Sequence, residues 1–165
     1  MQIDFSKNKL CLIFLTLLFG NSYAVIASDF ERCSSSILAT NPITSQSRLY
    51  EKLGGNINDY MQNSKTESSY SITVAHLAMM QSFYISNSFL HIGSMMRLHK
   101  SFKKDTKENK DLTMSYIKIH FNFMSTSSKQ ISIVLEKTID NSLKRELVEL
   151  KVQIEKDLMV HSACI

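Results

Sequence analysis

Tryptophan is absent from the 165 residues, proline occurs once and glycine only four times. So few chain-breaking residues exclude collagen-like, low-complexity and Pro-rich disordered classes, and with 44% hydrophobic and 21% charged residues the composition is that of one ordinary globular domain. Neither sign of charge dominates. Nineteen Lys and Arg against fifteen Asp and Glu give +4, too small and too evenly spread an excess to require a nucleic-acid partner. The serine-nucleophile elbow, the His-Glu-x-x-His zinc motif, the phosphate loop, paired Glu-x-x-His and Cys-x-x-Cys are all missing. The common hydrolase, zincin, nucleotide-binding, di-iron and dithiol-redox chemistries therefore have no sequence support.

What is present begins with a targeting segment. Lys7 and Lys9 precede an uncharged apolar run over 10–20, followed by small-residue patterns ending at Ala24 and Ala27. This is the pattern of a secretory signal peptide spanning 1–27, cleaved after Ala24 or Ala27. The run is shorter than the ~20 apolar residues a bilayer span needs, so no stable membrane insertion is expected after cleavage. Removal of 1–27 takes away Asp4, Lys7, Lys9 and Cys11, leaving a nearly neutral chain with two cysteines, Cys33 and Cys164. In the oxidising periplasm or outside the cell these two are expected to be bridged, tying the N-terminal extension (28–46) to the end of the last helix.

The remaining punctuation predicts an all-α chain. Ser28 to Glu31 forms a capping box, Asn41-Pro42 an N-cap with Pro at the first helical position, and Asp105 to Glu108 a further capping signal. Leu143, Leu147, Leu150, Ile154 and Leu158 recur every three or four residues and predict the final helix. Residues 117–123 alternate apolar and polar, a strand pattern in isolation, but no second strand lies nearby to pair with it, so helix is expected. Gly54 and Gly55 interrupt the first half, and 100–111 (KSFKKDTKENKD) reads as a surface loop. Residues 68–96 contain no Asp, Glu, Lys or Arg, yet seven Ser, two His, Gln81, Asn87 and Thr73 make them a poor membrane span and a better buried or cavity-lining helix.

Ser47-Arg48-Leu49-Tyr50-Glu51-Lys52-Leu53-Gly54-Gly55 resembles the opening of truncated haemoglobins, and 47–165 is about the length of that domain. Later landmarks follow in order: Tyr70 thirteen residues before the pair Phe83-Tyr84, then His91 and Met95, then His120. The family's Gly-Gly-Pro loop has no counterpart here. The resemblance implies a two-over-two globin fold with haem b. His120 would be the proximal iron ligand, Phe83 would contact the porphyrin, and Tyr70 and His91 would donate hydrogen bonds to a diatomic gas such as oxygen. Met95, with Ile92, Met96 and Leu98, would supply apolar lining.

Elementary ligand chemistry accommodates that reading, since neutral imidazole is a good axial ligand and a mostly apolar pocket with a few donors suits a bound gas. Other readings use the same residues. His91, Met95 and His99 lie four apart, as do His76 and Met80, and thioether with imidazole suits copper. The basic residues Arg97, Lys100, Lys103, Lys104, Lys107 and Lys110 are a solvated surface or partners for haem propionates. The rival functional class is a cofactor-free exported helical module that acts by surface complementarity, as an inhibitor or immunity-type protein does.

Overall fold

A computed structural model describes residues 28–39, 43–65, 68–101 and 106–165. The signal-peptide segment, the Asn41-Pro42 cap and Asp105 lie outside the described residues. Among the described residues five α-helices follow in order: α1 Asp29–Ala39, α2 Ile43–Asn63, α3 Ser69–Ser101, α4 Lys107–Lys137 and α5 Asn141–Val160, and then a single 3-10 turn, Ser162–Cys164. No strand is present among the described residues. The capping box closes at both ends: the Ser28 N–H donates to Glu31 Oε2 at 3.1 Å and the Glu31 N–H donates to Ser28 Oγ at 3.3 Å. Thr106 caps α4 by accepting from the Asn109 N–H, and Asp140 caps α5 by accepting from the Leu143 N–H.

Helices α2 to α5 form an antiparallel bundle whose registers are fixed by pairs along each seam. On the α2–α3 seam Ser86 Oγ donates to the Ser47 carbonyl at 2.9 Å and Ser82 Oγ donates to the Tyr50 carbonyl. Gln81 meets Gln130 at 2.7 Å and His99 meets Thr113 at 2.7 Å on the α3–α4 seam. Ser128 donates to Glu155 between α4 and α5, and Tyr50 meets Asp157 between α2 and α5, which closes the ring. The core they enclose includes Tyr50, Ile57, Ile85, Phe89, Ile92, Phe121, Leu147 and Ile154, each at most 1% exposed. The alternating 117–123 segment is helix throughout, because on α4 its Ile117, His120, Phe121 and Met124 all fall on the inward side at three- and four-residue spacing.

Two expectations are corrected. Gly54 and Gly55 do not interrupt α2, which runs through both. Gly54 is there for packing: a Cβ on it would stand 3.2 Å from the Phe83 ring, so its bare backbone admits that ring between α2 and α3. Of the surface loop expected over 100–111, residues 100–101 belong to α3 and 107–111 to α4. A Cβ on Gly55 would meet nothing within 4 Å, whereas one on Gly93 would meet Ile43 Cγ2 at 2.9 Å. Gly55→Ala should therefore raise stability by about 0.5–1 kcal/mol through helix propensity. Gly93→Ala should lower it by about 1–3 kcal/mol through overpacking. Urea midpoints of the two variants check this, and equal losses at both positions would contradict the seam geometry.

Helix α1 lies across one end of the bundle. Its Phe30, Cys33 and Ile37 are buried, Cys33 is bridged to Cys164 with Cα atoms 4.6 Å apart, and Glu31 reaches Lys110 of α4 at 3.9 Å. The expected clasp between the two ends of the chain is present, and both cysteines are fully buried.

Candidate functional site

The functional candidates are best judged from His120, the residue on which the expected chemistry depends. It sits on the inward side of α4 and is 1% exposed. Its ring meets Phe89 edge-on, with centroids 4.9 Å apart and planes at 79°, and lies 5.2 Å from the Phe121 ring. Phe89 in turn stacks on Tyr50 at 5.8 Å, and His161 completes the box at 5.6 Å from Phe121 and 6.2 Å from Phe89. Both ring nitrogens of His120 are buried and have no hydrogen-bond partner among the described residues. Burial, and then the neighbouring His161, push its pKa down from 6.5 to about 4, so the ring is neutral at pH 7.

Beside this apolar box lies a polar cluster in which Asp157 is fully engaged while Gln46 Oε1 is buried with no hydrogen-bond partner among the described residues. Asp157 of α5 is 2% exposed and accepts from Tyr50 Oη at 2.8 Å, Gln153 Nε2 at 3.0 Å and Gln46 Nε2 at 3.3 Å. A buried polar group needs such partners to offset the water it has lost. Burial of the Tyr50 phenol, and then the charge and hydrogen bond of Asp157, push that phenol above its usual range. His161 is fully buried at the C-terminal cap of α5, with Nδ1 3.3 Å from Ser36 Oγ and Nε2 3.1 Å from Gln46 Nε2. Because Ser36 spends its hydroxyl proton on the Val160 carbonyl and Gln46 can only donate through Nε2, the consistent tautomer carries the proton on Nδ1. A second proton on Nε2 would face the Gln46 donor. Burial likewise depresses the His161 pKa, against the opposing pull of Asp157.

The two histidines give stability a pH dependence of definite sign. The folded-state pKa of His120 lies below its unfolded value, so between pH 6.5 and about 4 only the unfolded chain takes up the proton, and stability falls as pH falls through that window. From His120 alone about 2 kcal/mol should disappear between pH 7 and pH 5. Denaturation at the two pH values should show a smaller loss in His120→Leu than in the wild type. An identical loss in both would remove His120 as the cause.

The residues predicted to share a haem pocket are dispersed. Tyr70 is 42% exposed in the first turn of α3, and His91 is exposed further along the same helix. Phe83 packs against Gly54 at the α2–α3 seam. Ile92 and Met96 are buried in the core and Met95 is half-buried against it, while Leu98, expected as lining, is exposed. His99 bonds to Thr113 and stacks edge-on against Phe30 at 4.9 Å, and His76 and Met80 face solvent. No group of three or more His, Cys, Asp or Glu is placed to hold a metal ion among the described residues. Of the basic residues, Lys110 lies over Phe30 at 5.3 Å and Lys107 pairs with Asp111 at 3.0 Å.

A metal held by imidazole stands about 2 Å from the ring nitrogen, and a haem would in addition need room for its whole macrocycle next to His120. Neither nitrogen of His120 is accessible to a water-sized molecule in this packing, and the rings of Phe89 and Phe121 pack on the imidazole at 4.9 and 5.2 Å. The arrangement around His120 therefore does not fit a porphyrin, although its neutral, unpartnered ring has the right chemistry for a ligand. Open clefts lie elsewhere. One of about 650 Å³ lies between the end of α2 and the α4–α5 turn, a second of that size lies between α1 and α4, and an apolar groove of about 330 Å³ runs between α3, α4 and α5. His120 lines none of these.

Sequence reading missed the Asp157 cluster. The signal was available: Asp157 lies three residues after Ile154 and seven after Leu150, so it continues the buried stripe at least as well as Leu158, which is half-buried.

Compared with protein-family models, curated proteins and solved structures, the chain matches none significantly. Its fold and its bridge define it as an all-α bundle with disulfide-joined ends.

Proposed function

We propose that this chain is an exported, cofactor-free helical module that acts by binding another macromolecule through its surface. The observation that carries this reading is the closed packing at His120, whose ring nitrogens are both inaccessible and whose ring is packed by Phe89 and Phe121. Export is supported by the N-terminal targeting pattern and by the buried Cys33–Cys164 bridge, which belongs in an oxidising compartment. Among the described residues no helix is long and apolar enough to cross a membrane.

One observation favours the second reading, a divergent truncated haemoglobin that binds oxygen or another diatomic gas. A buried imidazole with both nitrogens unsatisfied is costly, and an iron ligand would satisfy one of them. The experiment is absorbance spectroscopy of the oxidised protein titrated with haemin. A cofactor-free module gives no saturable Soret shift, and the protein comes out of cells colourless. A stoichiometric Soret band that disappears in His120→Ala would establish the haem reading instead.

A further inference from the structure

Helices α3 and α4 leave one face uncovered, and its pattern is regular. Leu77, Tyr84, His91 and Leu98 on α3 follow one another at intervals of seven, and all four are exposed. On α4 the same interval links Leu112, Ile119, Thr126 and Ile133, again all exposed. A seven-residue apolar repeat keeps one side of a helix turned toward a neighbouring helix, and in the bundle core such positions are covered. Here nothing among the described residues covers them. The two stripes adjoin rather than point apart: Tyr84 touches Phe123 with ring centroids 4.4 Å apart, Gln81 bonds Gln130, and Leu77 and Ile133 line the same apolar groove.

We propose that this α3–α4 face is the interface of a homodimer, in which two copies pack their exposed seven-residue stripes against each other about a twofold axis. Charge selects a second copy over a charged partner. In a twofold contact each residue near the axis meets its own equivalent, so a charged stripe would repel itself. The α3 stripe lies mostly in 68–96, which has no Asp, Glu, Lys or Arg. The extent also suits a dimer. Six apolar residues of the stripes are exposed by 44% to 72%, and Met80 at 54% extends the patch. Together they offer on the order of 700 Å², close to the roughly 800 Å² per partner of a stable specific interface. Tyr and Met are also the residue types enriched in such contacts. Ile119 of the stripe adjoins His120 in sequence but is 62% exposed where His120 is buried, and because His91 belongs to the stripe the inference rests on the cofactor-free reading.

Sedimentation of the oxidised protein across a concentration series tests it. The expected result is a dimer with a dissociation constant in the micromolar range or tighter, as interfaces of this size give. Ile119→Lys and Leu112→Lys, each placing a charge in the contact, should weaken the dimer by at least about tenfold, while helical circular dichroism and thermal midpoint of the monomer stay unchanged. A wild-type protein that remains monomeric at several hundred micromolar would overturn the proposal, as would a dimer indifferent to both substitutions. So would a monomer that sediments with neutral phosphatidylcholine vesicles, which would make the face a lipid-binding surface.

Discussion

The Cys33→Ser, Cys164→Ser double variant should be less stable than the wild type by about 5 kcal/mol, the loop-closure entropy of a bridge spanning 131 residues. For a chain of this size that corresponds to a fall in melting temperature of roughly 15 °C. The effect is large because the bridge closes a loop of 131 residues, from α1 to the turn after α5. Replacement is the cleaner test, because both cysteines are fully buried and a reductant reaches them only when the protein opens. If loop closure is the cause, the loss appears mainly as a more favourable unfolded state, and the aromatic contacts around Phe89 persist in the variant. A loss below about 1 kcal/mol would mean that α1 and the C-terminal turn are held by packing and by the Ser36–His161 contact without the bridge.

Phe89→Ala should cost about 3–5 kcal/mol, because Phe89 is 1% exposed and is the hub that touches Tyr50, His120, Phe121 and His161. The resulting hole would be walled by aromatic rings, the imidazoles of His120 and His161 among them, and would have the shape of the lost ring, which a small aromatic molecule can fill. Benzene should therefore restore part of the lost stability in the variant while leaving the wild type unaffected, as ligand linkage requires. Urea denaturation with and without benzene measures both effects. A loss near 1 kcal/mol would mean that the interior collapses around the missing ring and that Phe89 is not what closes the space at His120.

Much of the architecture was legible in the sequence because it rests on local signals. Leu143, Leu147, Leu150 and Ile154 are each fully buried, as their spacing requires, and Ser28 with Glu31 forms the reciprocal cap that four residues of sequence announced. Cys33 and Cys164 could be paired by elimination once export was assumed. The 117–123 segment shows how tertiary context decides between periodicities. Its apolar alternation is real, but the exposed Ile119 is a surface residue of α4, while the inward residues follow helical spacing.

The site was less legible for a geometrical reason. Counting residues along a family pattern fixes distance along the chain but not the side of the helix a residue faces. Helix α3 runs unbroken from Ser69 to Ser101, and Phe89 points at His120. Two residues are about 200° apart on a helix, so His91 must face away from that ring, and it is exposed. Gly54 and Gly55 read as a break in the sequence because glycine marks both turns and close helix contacts, and only the partner Phe83 tells the two apart. Asp157 escaped because a charged residue on an apolar stripe is expected to face water until its three donors, drawn from α2 and α5, are seen.

The most direct measurement is a histidine NMR titration of the oxidised protein, repeated with one equivalent of haemin. The account predicts that the His120 ring signals stay in the neutral form down to about pH 4 and are unmoved by haemin, because the ring is enclosed by Phe89 and Phe121. A His120 that titrates near its ordinary value of 6.5, or whose signals shift or vanish when haemin is added, would contradict it.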